Sequence, residues 1–317
     1  MVVLFAAVTA FWSWHVGVPL RDPEGKMFRV RLTTSLTSFA LLVLAQAVVR
    51  CRRQGIAPRA VVAQLRASWP RERLFLAVTG LVAYHVVYVC YRNLKSWNAF
   101  RTLRDRELVD FELWLFHGHS PAVLLHDVFG QGAAAFVLAF IYRSFTYLVP
   151  FSVVASVVFI PKIRDSFVFL TAAMWVWILG VGSYYLLPTL GPFAAAAADF
   201  TGLPHTPITD TQVEYITSRD QLLSAPAAFD SFASLGAFAS LHVAFTCMVV
   251  LMLWHYRVPW AARAFGVAYL LAVMVATVYF GWHYVVDDVA GVAIAIFSVA
   301  LGRALVLSGG SGAEDHA

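Results

Sequence analysis

Apolar residues run in blocks of about twenty along most of the chain, separated by shorter polar stretches. The blocks predict helices near 2–20, 32–49, 74–91, 144–160, 166–188, 234–255, 263–281 and 284–307. Each is long enough to cross a hydrocarbon core that takes roughly 20 helical residues, so about eight spans are expected. The first run starts at Val2 with no basic segment ahead of it and no clear small-x-small site behind it. It therefore reads as a short first span rather than a leader.

Two stretches break this pattern. Between 92 and 143, "SWNAFRTLRDRELVDFELWLF" mixes charge and aromatics at helical spacing, as a helix lying in the headgroup layer does. "SPAVLLHDVFG" follows as a second such helix or a re-entrant piece. The stretch 189–233 predicts a long external loop, with acids at Asp199, Asp210, Glu214, Asp220 and Asp230, placed to cap a site or to move. The expected organisation is N-terminal helices over 1–91, an interfacial segment over 92–143, a membrane core over 144–307 and a polar tail over 308–317.

Composition agrees with an all-helical, polytopic membrane protein. Of 317 residues, 60% are apolar and 13% charged, and mean hydropathy is +0.72. Soluble domains carry about a quarter charged residues. The net charge of +5 is unevenly spread. The segment 50–73 holds Arg50, Arg52, Arg53, Arg59, Arg66, Arg71 and Arg73 against Glu72 alone, which predicts a cytoplasmic loop. Alternation then puts Lys162, Arg164, Arg257 and Arg263 on the same side, and places 92–143, 189–233 and the break at His283 outside. The basic stretches 21–31 and 92–106 also fall outside. No basic and aromatic patch suggests nucleic acid, so the expected partner is the bilayer. Cys51, Cys90 and Cys247 are too few and too scattered for a disulfide framework or a metal cluster. Nothing in the sequence sets the oligomeric state.

Three polar clusters come to the outer boundary together. "SYYLLPTLGPF" (183–193) ends the fifth span, "ASLHVAF" (239–245) opens the sixth, and "GWHYVVDD" (281–288) joins the last two. A histidine at a membrane boundary needs a partner or water, so His242 and His283 call for explanation. His283 and Asp287 are four apart and share a helix face. A carboxylate there takes the proton on one imidazole nitrogen and leaves the other lone pair free for attack. His242, beside Ser240 near a helix start, is placed to give a proton to a leaving oxygen. Helix amides and the Ser240 hydroxyl suit a bound phosphate. These parts fit in-line phosphoryl transfer through a phosphohistidine.

"ASLHVAF" and "HYVVDDVAG" resemble the second and third motifs of the type 2 phosphatidic acid phosphatase superfamily, written SGH and SRxxxxxHxxxD. The resemblance covers chiefly 183–291. It implies a six-helix core, an extracytoplasmic site in an integral, plasma-membrane protein, and no metal or other cofactor. It makes His283 the nucleophile, Asp287 its orienting carboxylate and His242 the general acid. Leu241 stands where the motif has glycine, and Thr277 where it has arginine. No KxxxxxxRP motif is present, and "YLLPTLGPF" occupies its neighbourhood. These departures look more like the inositol phosphorylceramide synthase and sphingomyelin synthase branch. That branch moves a phospho-headgroup from a phospholipid to a lipid or polyol alcohol; hydrolysis of a phosphorylated lipid is the near rival. Without the family's usual cations, Arg143 is the first candidate for holding phosphate, with Arg92 and Lys95 behind it. Ser240, Tyr184 and Gly191 complete the expected substrate contacts.

Plainer readings stand beside these. His283 and Asp287 also make a helix-stabilising pair, and His242, His283 and Asp287 are zinc-ligand types. Asp288 is expected to point about 100° away, toward solvent or a neighbouring turn. Tyr184, Tyr185, Trp282 and Tyr284 fit an interfacial aromatic belt, and Gly191-Pro192 a helix-ending turn. His117, His119, His126 and His205 read as surface or interfacial. A transporter or a non-catalytic scaffold is the competing class, although transporter sites favour the bilayer midplane and internal repeats.

Overall fold

The computed structural model describes residues 1–55, 61–227, 232–233 and 236–308. Arg59, Asp230 and the tail beyond Ser308 lie outside the described residues. Thirteen helices follow in order: α1 (Val2–Val16), α2 (Lys26–Arg53), α3 (Val61–Ser68), α4 (Arg71–Trp97), α5 (Asp105–Leu115), α6 (Pro121–Phe129), α7 (Ala133–Phe159), α8 (Ile163–Leu186), α9 (Pro192–Ala195), α10 (Pro207–Ser224), α11 (Leu241–His255), α12 (Trp260–Tyr279) and α13 (Val285–Leu307). No strand occurs among the described residues.

Among the described residues, six helices are long and apolar enough to cross a membrane: α2, α4 with its continuation to Phe100, α7, α8, α12 and α13. The expected eight spans thus resolve into six full-length helices and two shorter apolar ones, α1 and α11. The central helix is α8, packed against α4, α7, α11 and α13. Small residues let the backbones close in. A Cβ on Gly291 of α13 would sit 2.5 Å from the Ser240 carbonyl, so α13 meets the start of α11 at van der Waals distance.

The interfacial segment is shorter than its charge pattern suggests. Helix α4 runs on to Trp97, and α7 begins at Ala133 rather than near 144. The stretch "AAAFVLAFIY" is helix-compatible and apolar, and the single Arg143 does not end it, because its long side chain reaches the surface. Only α5 and α6 remain as short helices between two spans. Inside α7, Pro150 removes the N–H that would have bonded the Thr146 carbonyl. The expected external loop is also largely structured. It holds α9, a 3-10 turn over Ala197–Phe200, and the 18-residue α10. A capping box starts α10: Thr206 Oγ1 accepts from the Ile208 N–H, and Thr209 Oγ1 from the Thr206 N–H, each at 3.2 Å.

The basic turns gather at one end of the bundle. Arg73 donates to the Ile160 carbonyl at 3.2 Å, Arg164 to the Val306 and Leu307 carbonyls at 3.2 and 2.7 Å, and Tyr256 to the Asp165 carbonyl at 2.8 Å. The cluster that holds His242 and His283 lies at the other end.

Candidate active site

The link between α12 and α13 presents His283. Its turn is closed by Trp282 and His283 N–H groups that donate to the Thr277 carbonyl at 3.0 and 3.3 Å, with Gly281 at φ 66°. Tyr284 then caps α13, where Asp287 Oδ2 accepts from the Tyr284 N–H at 3.0 Å. The same oxygen faces His283 Nδ1 at 3.4 Å, a long contact. Asp287 is therefore first a helix cap and second a partner for the imidazole. Burial pushes His283 down to about 4, which keeps the ring neutral and its lone pair available near neutral pH.

His242 occupies the first turn of α11. Its ring stacks on Tyr142 and tilts against Phe145, both at 4.3 Å between centroids, and lies 6.0 Å from the His283 ring. Both imidazoles line one cavity of about 370 Å³, enclosed by α2, α4, α7, α8, α10, α11 and the α12–α13 link. The sequence-distant histidines are thus brought together. Ser240 joins their two helices from behind: its N–H donates to the Asp287 carbonyl at 3.0 Å, and its Oγ accepts from the Val243 N–H at 3.4 Å. It is fully buried and does not line the cavity, so the expected direct contact with substrate is corrected to a helix cap.

Residues 106–301, more than half of the chain, match the PAP2 superfamily. The chain belongs to this family. PAP2 members are phosphatases or phosphotransferases acting on lipid phosphates, so this PAP2 protein is an integral membrane enzyme of that class. No curated protein and no solved structure matches the chain. The family match begins within α5, so the cations supplied by α2 and α4 lie ahead of it.

Those cations differ in burial. Arg92 and Lys95, about one turn apart on α4, line the cavity half-buried; Arg143 lines it too, but its side chain is exposed. Lys95 Nζ lies 3.5 Å from the Tyr184 hydroxyl and 4.8 Å above its ring, and Arg92 lies over Phe232 at 4.9 Å. Arg31 of α2 also lines the cavity, over Tyr88 at 4.2 Å, and was not among the expected residues.

The aromatic-belt reading fails for Tyr184, Trp282 and Tyr284, which are 1%, 5% and 1% exposed. Tyr184 and Trp282 line the cavity. Tyr284 donates to Asp105 Oδ1 at 3.0 Å, and half-buried Tyr185 to the Leu94 carbonyl at 2.7 Å. Span ends normally face headgroups, but here α5, α9 and α10 cover them. Gly191 is likewise not a cavity residue. At φ 110° its N–H donates to Asp105 Oδ1 at 2.9 Å, and an added Cβ would meet the Trp282 carbonyl at 2.6 Å. It packs under the α12–α13 link instead.

Asp288 does not face solvent. It is 2% exposed, accepts from Thr277 Oγ1 at 3.0 Å, and lies beside Ser240 and His283. The 100° rotation carries it toward Thr277 at the end of α12 and Ser240 at the start of α11. Thr277, at the motif's arginine position, thereby serves as a donor to a carboxylate. His126 is also buried, with Nε2 2.8 Å from the Tyr279 carbonyl, whereas His117, His119 and His205 are exposed as expected. Among the described residues no group of three or more His, Cys, Asp or Glu side chains is placed to hold a metal ion, so the zinc reading of His242, His283 and Asp287 finds no ligand set.

Two carboxylates on α5 went unrecognised in the sequence. Asp105 accepts from the Leu190 and Gly191 N–H groups and from the Tyr284 hydroxyl. Glu112 accepts from the Val285 N–H at the start of α13, and burial raises it to about 7. The available signal was spacing. Asp105, Leu108 and Glu112 fall on one helical face, and that face is the buried one.

Proposed function

We propose that this PAP2 protein transfers a phospho-headgroup from a phospholipid to a lipid or polyol alcohol, in the manner of the inositol phosphorylceramide synthase branch, through a phosphohistidine at His283. The observation that carries this reading is the pair of imidazoles facing one cation-lined cavity with ring centroids 6.0 Å apart. His283 Nε2 attacks phosphorus while His242 protonates the oxygen of the departing lipid alcohol. An incoming alcohol then attacks the phosphohistidine as His242 takes up its proton, and His283 is released. Lys95, Arg92, Arg143 and Arg31 meet the phosphate charge, which is where most of the barrier lowering in phosphoryl transfer arises. Tyr142 and Phe145 pack on His242. That apolar wall favours an acceptor with an organic body over water. With the basic turns gathered at the far end of the bundle, the site faces away from the cytoplasm, at the plasma membrane.

The test uses purified protein in nanodiscs with phosphate-labelled phosphatidylinositol and phosphatidic acid, for wild type and His283→Ala. New labelled phospholipid, absent from the variant, is expected. Free phosphate alone would make the protein a phosphatase. Equal turnover by the two proteins would overturn the nucleophile.

A further inference from the structure

A second cavity, of about 530 Å³, opens on the side of the bundle between α2, α7 and α12. Its lining includes Tyr147, Phe151 and Phe265, which are 76%, 60% and 72% exposed, so it faces the surrounding bilayer. It also adjoins the histidine cavity. Pro150 lines both, and on α2 the residues Arg31, Thr34, Ser38 and Leu42 form one stripe that leads from the first cavity into the second.

The upper hydroxyls of this groove are turned inward. Thr34 donates to the Val30 carbonyl at 2.7 Å, and Ser144 to the Ile141 carbonyl at 2.6 Å. Tyr269 lies 2.6 Å from Ser144 Oγ, whose own proton is already spent, so Tyr269 donates. His85 Nδ1 bonds the Leu81 carbonyl at 2.8 Å, which leaves Nε2 to accept from Ser35 at 3.2 Å. With their protons used within the bundle, these groups make little demand on water, and apart from the Ser38 and Tyr147 hydroxyls the remaining walls are hydrocarbon and aromatic.

We infer that this groove seats the hydrocarbon chain of the lipid alcohol whose oxygen is bonded to the transferring phosphorus. The inference rests on phosphoryl transfer at His283. In-line displacement puts the departing and incoming oxygens on the same side of phosphorus, opposite the histidine nitrogen. One groove beside the cavity therefore serves the alcohol that leaves and the alcohol that attacks. The occupant is a neutral chain, because no charged side chain lines the groove below Arg31.

The test has two arms. In the first, His283→Ala protein in nanodiscs is photolabelled with a diacylglycerol that carries a diazirine midway along one chain. Label on the α2 and α7 peptides that contain Leu42 and Phe151 is expected; label confined to other helices would overturn the groove. In the second, Leu42→Trp fills the groove of the active enzyme. The preference for long-chain over short-chain lipid substrates should fall by about tenfold, on the scale of losing about two buried methylenes. Phe297→Trp, on the lipid-facing side of α13, should retain it. An unchanged preference in Leu42→Trp would also overturn the groove. If wild type turns over no lipid substrate, the phosphoryl-transfer reading falls, and the photolabel alone decides whether the groove holds a lipid.

Discussion

At the basic end of the bundle, Arg164 is exposed and Arg73 half-buried, and both donate to carbonyls at the ends of neighbouring helices. At the cavity end, His283, Asp287, Asp288 and Glu112 are enclosed, and each is held by a backbone or side-chain partner. Water at the first end can replace what a mutation removes. At the second it cannot, so a lost partner leaves a buried polar group unpaired, at about 1–3 kcal/mol each and more for a charge. The difference separates charge whose partners water can replace from charge whose partners only the fold supplies.

The largest break in that comparison is His283→Ala, which should lower turnover of labelled lipid by roughly a thousandfold or more while thermal unfolding in nanodiscs changes little. His242→Ala should cost about a hundred- to ten-thousandfold as the acid is lost. A pH profile sharpens the same point. Because burial holds His283 near 4, the activity should show no acid limb from it around 6.5.

Asp105→Ala comes next. It strands the Leu190 and Gly191 N–H groups and the Tyr284 hydroxyl, and should destabilise the protein by about 3 kcal/mol or more by denaturation, with turnover falling alongside. Asp105→Asn, which keeps the shape and one acceptor, should recover part of both.

Glu112 gives a smaller, pH-dependent effect. Its pKa stands at about 7 in the fold against an ordinary 4.5, so between those values the folded chain holds a proton that the unfolded chain has released. Its contribution to stability therefore falls as pH rises from 4.5 to 7. His283 works in the opposite sense from 4 to 6.5, where the unfolded chain binds the extra proton. The difference between wild type and Glu112→Gln isolates the carboxyl: the variant should lose the downward slope. The smallest effect belongs to the basic end, where Arg164→Ala should cost about 1 kcal/mol or less and leave turnover as it is.

How much of this was readable in the chain depends on which force set each feature. The long helices were visible because a bilayer fixes their length, and α13 starts within one residue of its expected position. The start of α11 was not. Its apolar run begins near 234, but helix begins only at Leu241, where Ser240 caps it. The His283–Asp287 pairing followed from helical periodicity and the His242–His283 approach from topology. Asp288 is buried by Thr277 and Ser240 on neighbouring helices, whereas His126 and the three aromatics are buried because short helices fold over the span ends, which no helix-by-helix pattern shows. The burial of the cations was not legible either. Arg92 and Arg143 each lie one residue from a predicted helix end, but burial depends on which neighbours a helix face meets, and α4 half-buries Arg92 and Lys95 while Arg143 is exposed.

Asp105 gives α5 a mechanical hold on the turn that carries His283. It lies in the first turn of α5, a short helix with Phe111 and Trp114 exposed, and one carboxylate ties it to both Gly191 and Tyr284, the residue next to His283. Through Asp105, any shift of α5 is passed to the turn that carries His283, so the short helix and that turn move as one unit.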